Sequence, residues 1–291
     1  MNDEYYIGWE AKAAPGIGKT IHRAVVALLL IAVFVSLLLA VSQHMIGASV
    51  FEWGNVKQFS GILQATPYPH LLVLRPGGGR FHTLQSVKNT ADETNNTLYP
   101  SGSHADFHTL QSVEVSPAAY SSYYLVAPWK FGLKPEALAP FDGQSVTLKG
   151  TLIYRGSQTM IEVVTDSIHL DKKNSAAPAL PKTIPLGRQT LTGEIVDSKC
   201  FLGVMNPGQL TPHRACAIRC LSGGIPPVLL VRQKNGPAIY LLLVSADGQP
   251  VNQQVLDLVA EPVAITGEVE RQGELLILRA DPATYRRANT N

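Results

Sequence analysis

Three patterns of apolar and polar positions follow one another along the chain. The first is an unbroken apolar run, "AVVALLLIAVFVSLLLAV", from Ala24 to Val41. As a helix rising 1.5 Å per residue it covers about one membrane thickness. The second is a set of short stretches rich in β-branched and aromatic residues: "VKQFSGILQA", "LLVLR", "YYLVA", "SVTLKGTLIY" and "TMIEVV". The third has the same character beyond residue 187, in "QTLTGEIVD", "PPVLLVR", "AIYLLLVS", "PVAITGEVE" and "ELLILRA". Short alternating runs bounded by Gly and Pro predict strands.

The two strand sets match each other. "VTLKGTLIYRGSQTMIEV" and "VAITGEVERQGELLILRA" share one pattern, with Gly150 and Gly156 at the places of Gly267 and Gly273. In both, a strand runs through one glycine, turns at the next and returns. Each set also opens on an apolar-Gly-apolar strand, "FSGILQA" and "LTGEIVD". The order of strands and this hairpin resemble the OB-fold. The expected fold class is mainly β, an N-terminal transmembrane helix followed by two tandem OB-like β-barrels. The expected divisions are a cytoplasmic tail over 1–22, a membrane helix over 23–43, a first barrel over 50–170, and a second over 188–285. A Pro- and Ser-containing linker over 171–187 joins the barrels, and 286–291 form a C-terminal tail.

Two short motifs carry less than their appearance. "FHTLQSV" stands at 81–87 and again at 107–113, within a polar insertion over 76–119. His82 and His108 could pair as ligands, but the plainer reading is two copies of a loop residue. "APGIGKT" imitates a phosphate loop, yet the motif's first glycine is Ala13 and a membrane span follows directly. Nucleotide binding is not expected there.

Charge sets the orientation. Lys12, Lys19 and Arg23 precede the apolar run, and the next lysine or arginine after it is Lys57. That bias places the N-terminus in the cytoplasm and the barrels outside the inner membrane, in the periplasm. The lipid bilayer is then a partner through Ala24–Val41. A cleaved signal peptide is the alternative, with "AVS" at 40–42 as its cleavage site, but the apolar run exceeds the usual length. A net charge of +2 with 16% charged residues gives no footprint for nucleic acid.

The candidate chemistry lies in "GEIVDSKC" and "TPHRACAIRCLSGG". Thr211 as N-cap, Pro212 in the first turn and the Gly223–Gly224 stop predict a short helix. On it His213, Cys216 and Cys220 share one face, and Cys200 at the end of the preceding strand folds back to them. Three readings stay open. Cys200, His213, Cys216 and Cys220 complete a Cys₃His metal shell for zinc, or for copper with Met205 nearby. Alternatively Cys200 forms a disulfide with Cys216 or Cys220, leaving a spare thiol. Or the thiols are simply buried. No Cys-x-x-Cys-His stands in the chain to attach haem. Asp197 or Glu194 could orient His213, although the commoner reading of each is a solvated strand-end charge.

The segment "GEIVDSKCFLGVM…HRACAIRCLSGGIPPVLLV…YLLLV" resembles a family of small exported bacterial proteins. Gly193, Glu194, Asp197, Cys200, His213, Cys216, Ala217, Cys220, Gly224 and Pro226 carry the resemblance, over about 188–285. It implies export and an OB-like barrel and supplies no reaction.

The functional expectation is an accessory or structural subunit of a membrane-bound, redox-linked complex, with other subunits as partners and no enzymatic activity of its own. The alternatives are a periplasmic metal or cofactor chaperone using the Cys₃His set, and a thiol–disulfide protein. The haem-binding His-x-x-x-Tyr of membrane-anchored cytochrome-maturation barrels is missing from "DPATYRRANTN".

Overall fold

The computed structural model describes residues 15–43, 49–74, 120–171, 180–233 and 238–288. The tail before residue 15, the 76–119 insertion with both "FHTLQSV" copies and the middle of the linker lie outside the described residues. The chain divides into two compact units, Met1–Ile46 and Gly47–Asn291.

The first unit is helix α1 (Pro15–Gln43). Its segment Gly16–Val41 is long and apolar enough to cross a membrane, as an anchor or as a signal sequence. Its leucines, valines and Phe34 are exposed, as an element made for lipid rather than for a protein core would be.

The second unit is mainly β and contains two closed five-strand barrels. The first uses β2 (Lys57–Gln64), β3 (His70–Leu74), β4 (Tyr120–Val126), β5 (Ser145–Arg155) and β6 (Gln158–Val163). Short β1 (Ser49–Phe51) and β7 (His169–Leu170) add to β5. Strand β5 is eleven residues long and serves two neighbours. Its first half pairs with β2 and its second half with β6, meeting at Gly150. A parallel pairing of β4 with β6 closes the ring. Between β4 and β5 lies a single-turn helix, α2 (Pro135–Leu138), started by its proline.

The second barrel repeats this order with β8 (Thr183–Asp197), β9 (Pro227–Val231), β10 (Ile239–Val244), β11 (Pro262–Gln272) and β12 (Leu275–Arg279). Again the long strand, β11, bridges two neighbours, and a parallel pair, β10 with β12, closes the ring. The glycines matched in sequence occupy matching places. Gly156 and Gly273 turn the two hairpins at φ +58° and +61°, where a side chain would be strained. A Cβ on Gly61 would lie 2.4 Å from Leu72 O, and one on Gly193 2.5 Å from Leu230 O. Both first strands are therefore held tightly against their neighbours.

Two boundaries fall differently from the sequence expectation. Strand β8 begins at Thr183, inside the stretch read as linker, because Thr183–Gly187 continue the ladder with Val269–Gln272. The tail at 286–291 opens with β13 (Arg286–Arg287), paired to Val263 and Ala264. Neither segment has enough apolar alternation to announce a strand; each is ordered by its partner's backbone.

Each barrel has its own core. Leu63, Leu71, Leu125, Val146 and Leu148 fill the first, and Leu191, Ile195, Leu229, Leu241, Val263 and Ile265 the second. A further buried cluster spans both, joining Tyr68, Tyr124, Ile153 and Met160 to Cys200, Leu202, Cys220, Ile225 and Ile277. Tyr68 Oη accepts the Val251 N–H at 3.0 Å. The guanidinium of Arg155 lies 4.2 Å over the ring of Phe201. Apolar burial at roughly 25 cal/mol per Å² makes this shared cluster part of what holds the second unit together.

Candidate functional site

The connection from β8 to β9 carries the candidate residues. At the end of β8 the chain enters a π-helical turn, Cys200–Val204. A loop follows, then a 3₁₀ turn, Thr211–His213, and helix α3 (Arg214–Ser222). Thr211 does not cap a helix: it opens the 3₁₀ turn, and α3 starts three residues later, at Arg214, with His213 at its N-cap. The Pro212 ring favours this tighter start. Gly223 ends the helix as expected, its N–H donating to Arg219 O and Cys220 O, and Gly224 follows at φ +94°.

Helix α3 has two buried faces. Ala217 and Leu221 enter the core of the second barrel. Cys216 and Cys220 turn toward the cluster shared with the first barrel. Cys200 stands opposite them, with Sγ 3.9 Å from Cys216 Sγ and 3.8 Å from Cys220 Sγ. The three sulfurs form one group within ligand reach of a single ion. Cys200 and Cys220 are buried and Cys216 is half-buried. At these separations no sulfur pair is bonded, since a disulfide needs about 2.05 Å.

His213 is brought to a second group, with Asp197 and Cys200. Its Nε2 donates to Asp197 Oδ2 at 2.9 Å, while Asp197 Oδ1 accepts the Cys200 N–H at 2.8 Å. Cys200 thus belongs to both groups, and the four residues expected as one shell are arranged as two triads sharing that cysteine. Met205 is 44% exposed, on the loop beyond the π-helical turn.

The reading of Glu194 and Asp197 as solvated strand-end charges is overturned. Both are fully buried. Their burial is compensated by hydrogen bonds, as a charge in a core requires. Glu194 Oε2 accepts from Arg232 Nη2 at 2.9 Å, and its Oε1 accepts the Leu210 N–H. Glu194 therefore fixes the loop leading to His213, and Asp197 fixes both His213 and the backbone at Cys200.

Two lysines complete the site, and neither was singled out by sequence. Lys130, on the first barrel's loop between β4 and α2, places Nζ 2.7 Å from Cys216 Sγ and 3.9 Å from Cys220 Sγ. Lys199, from the second barrel, is fully buried and holds that loop. Its Nζ donates to Ala127 O at 2.9 Å and Trp129 O at 2.6 Å, and pairs with Glu162. The loop also lies directly on the end of α3: Gly132 N donates to Gly223 O at 2.9 Å. Nothing local marks Lys130 in the sequence.

The electrostatics divide the thiols. A hydrogen bond shared with Cys220, and then burial, push the Cys200 thiol far above its ordinary range. The same hydrogen bond, helped by the Lys130 charge, draws Cys220 below its ordinary value against its own burial. The bond to Cys216 in turn raises the Lys130 ammonium. The three sulfurs and the Lys130 ammonium at the rim thus form one interacting group.

Comparison with protein-family models, curated proteins and solved structures finds no match to this chain.

Proposed function

We propose that this chain is a membrane-anchored, periplasmic metal-handling protein. In this reading α1 is a single-pass anchor with its N-terminus in the cytoplasm. Two OB-like barrels stand in tandem outside, and the thiol centre at their junction takes a soft cation such as zinc or copper. The role is binding and delivery, not catalysis.

The sulfur triangle carries the reading. Thiolates bound at 2.3 Å to one tetrahedral zinc lie about 3.8 Å apart. Cys200 Sγ stands 3.9 and 3.8 Å from its two neighbours. His213 stands beside Cys200 in the second triad, its imidazole oriented by Asp197 as carboxylates orient metal-binding histidines, so it is the nearest candidate for a further ligand to the three sulfurs. The parallel closing pairs and matched glycines support the OB-like assignment.

A second reading keeps the chain as an accessory subunit of a membrane-bound redox complex. It is favoured by Trp129, 79% exposed, and Phe131, 58% exposed, on the loop that carries Lys130. Exposed aromatics of this kind are enriched where proteins meet. The two readings are compatible if the partner receives the ion.

The test is a thiol count in denaturant, with and without reductant, on full-length protein purified in detergent without chelator, with bound metals assayed on the same sample. Three thiols and about one equivalent of zinc or copper support the metal reading. One thiol and no metal would replace it with a Cys200 disulfide and a spare cysteine.

A further inference from the structure

The metal reading leaves a charge unaccounted for. Three thiolates around a divalent ion carry one net negative charge, and around a monovalent ion two. Cys200 and Cys220 are 2% and 1% exposed, so that charge would sit against the apolar cluster shared by the barrels. An uncompensated charge in such surroundings is strongly unfavourable. Asp197 cannot offset it, being itself an anion paired with His213. Among the described residues, the cation with hydrogen bonds to the sulfurs is Lys130.

We infer that Lys130, supplied by the first barrel, is the charge partner of the loaded thiol centre, so that the metal site is built from both barrels. The inference rests on the metal reading above. Lys130 approaches from the solvent side, where Cys216 is half-buried, and covers the thiols lying deeper. Its place is not an accident of a long side chain. The backbone beneath it is clamped by Lys199 through Ala127 O and Trp129 O, and seated on Gly223. A Cβ on Gly223 would come 2.0 Å from Lys130 O, so the close fit uses the glycine that also ends α3. The first barrel, without a cysteine of its own, thereby supplies a positioning residue rather than a passive scaffold.

The experiment measures zinc(II) affinity of full-length protein in detergent by competition with a chromophoric chelator. Wild type is compared with Lys130→Met and Lys130→Arg at low and high salt. The Met variant keeps the length and loses the charge; it is expected to bind about tenfold more weakly at low salt. The Arg variant is expected to stay within about threefold of wild type. Because Lys130 is at the rim, the gap between wild type and the Met variant narrows at high salt. A purely structural role for Lys130 would give a loss independent of salt and unrescued by arginine, which overturns the inference. Equal affinity of wild type and the Met variant overturns it too, while leaving the metal site standing. A wild type that binds no zinc removes both the site and its charge partner.

Discussion

Lys199 Nζ lies 2.5 Å from Glu162 Oε2, with the lysine 1% exposed and its partner on the other barrel. The same ammonium donates to two carbonyls of the loop that bears Lys130. One buried cation therefore ties β6, the loop and β8 together next to the thiols. Removing one member of a buried pair leaves the other without compensation. Lys199→Met is expected to destabilise the protein by about 3 kcal/mol in urea unfolding. In a double-mutant cycle with Glu162→Gln the two losses should be strongly non-additive. Additive losses would show that the pair does not act as a unit.

Gly223→Ala tests the seating of the loop. Its new Cβ would collide with Lys130 O, so the loop must lift from α3. Overpacking of this kind costs about 1–3 kcal/mol. More tellingly, Cys216 should react faster with a thiol-specific disulfide reagent under native conditions, because Lys130 no longer covers it. An unchanged labelling rate would mean that the loop does not shield the thiols.

Asp197→Asn keeps shape and loses charge. The amide can still accept one hydrogen bond, but it presents an N–H where the carboxylate accepted another. The two present donors are the Cys200 N–H and His213 Nε2. A loss of about 1.5–3 kcal/mol is expected from chemical denaturation. Wild-type stability in this variant would argue that His213 is not held by Asp197 in solution.

His70 sets a pH dependence away from the thiols. It is 3% exposed, Nδ1 lies 3.0 Å from Tyr68 O, and Nε2 has no hydrogen-bond partner. Burial holds its pKa below the usual 6.5. The unfolded chain then binds a proton at higher pH than the folded one. Stability from this group is complete above about pH 6.5 and declines as pH falls below it. The urea midpoint should drop between pH 7.5 and 5.5, and drop less in His70→Gln. Parallel curves for the two proteins would remove His70 as the cause.

Much of the fold was legible because it is local. Strands such as Ser145–Arg155 and Pro262–Gln272 announce themselves by alternation, and the glycines at 156 and 273 by their hairpin positions. The cysteines and His213 were legible as residue types on one short segment. What could not be read is everything set by distant partners. Lys130 meets Cys216 across 86 positions, and Lys199 meets Ala127 across 72. Asp197 at a strand end looks solvated until the 3₁₀ turn at Thr211–His213 folds over it. The split of the expected four-residue shell into two triads follows from the same turn, which gives His213 to Asp197.

The clamp on the Lys130 loop has a consequence for biosynthesis. The chain emerges N-terminus first, so the strands of the first barrel are complete well before Lys199 and the cysteines appear. During that interval the loop over 127–132 waits without the ammonium that later holds it. The three thiols in turn are uncovered until α3 docks on Gly132. The order of synthesis thus makes the cover over the cysteines one of the last contacts the chain can form.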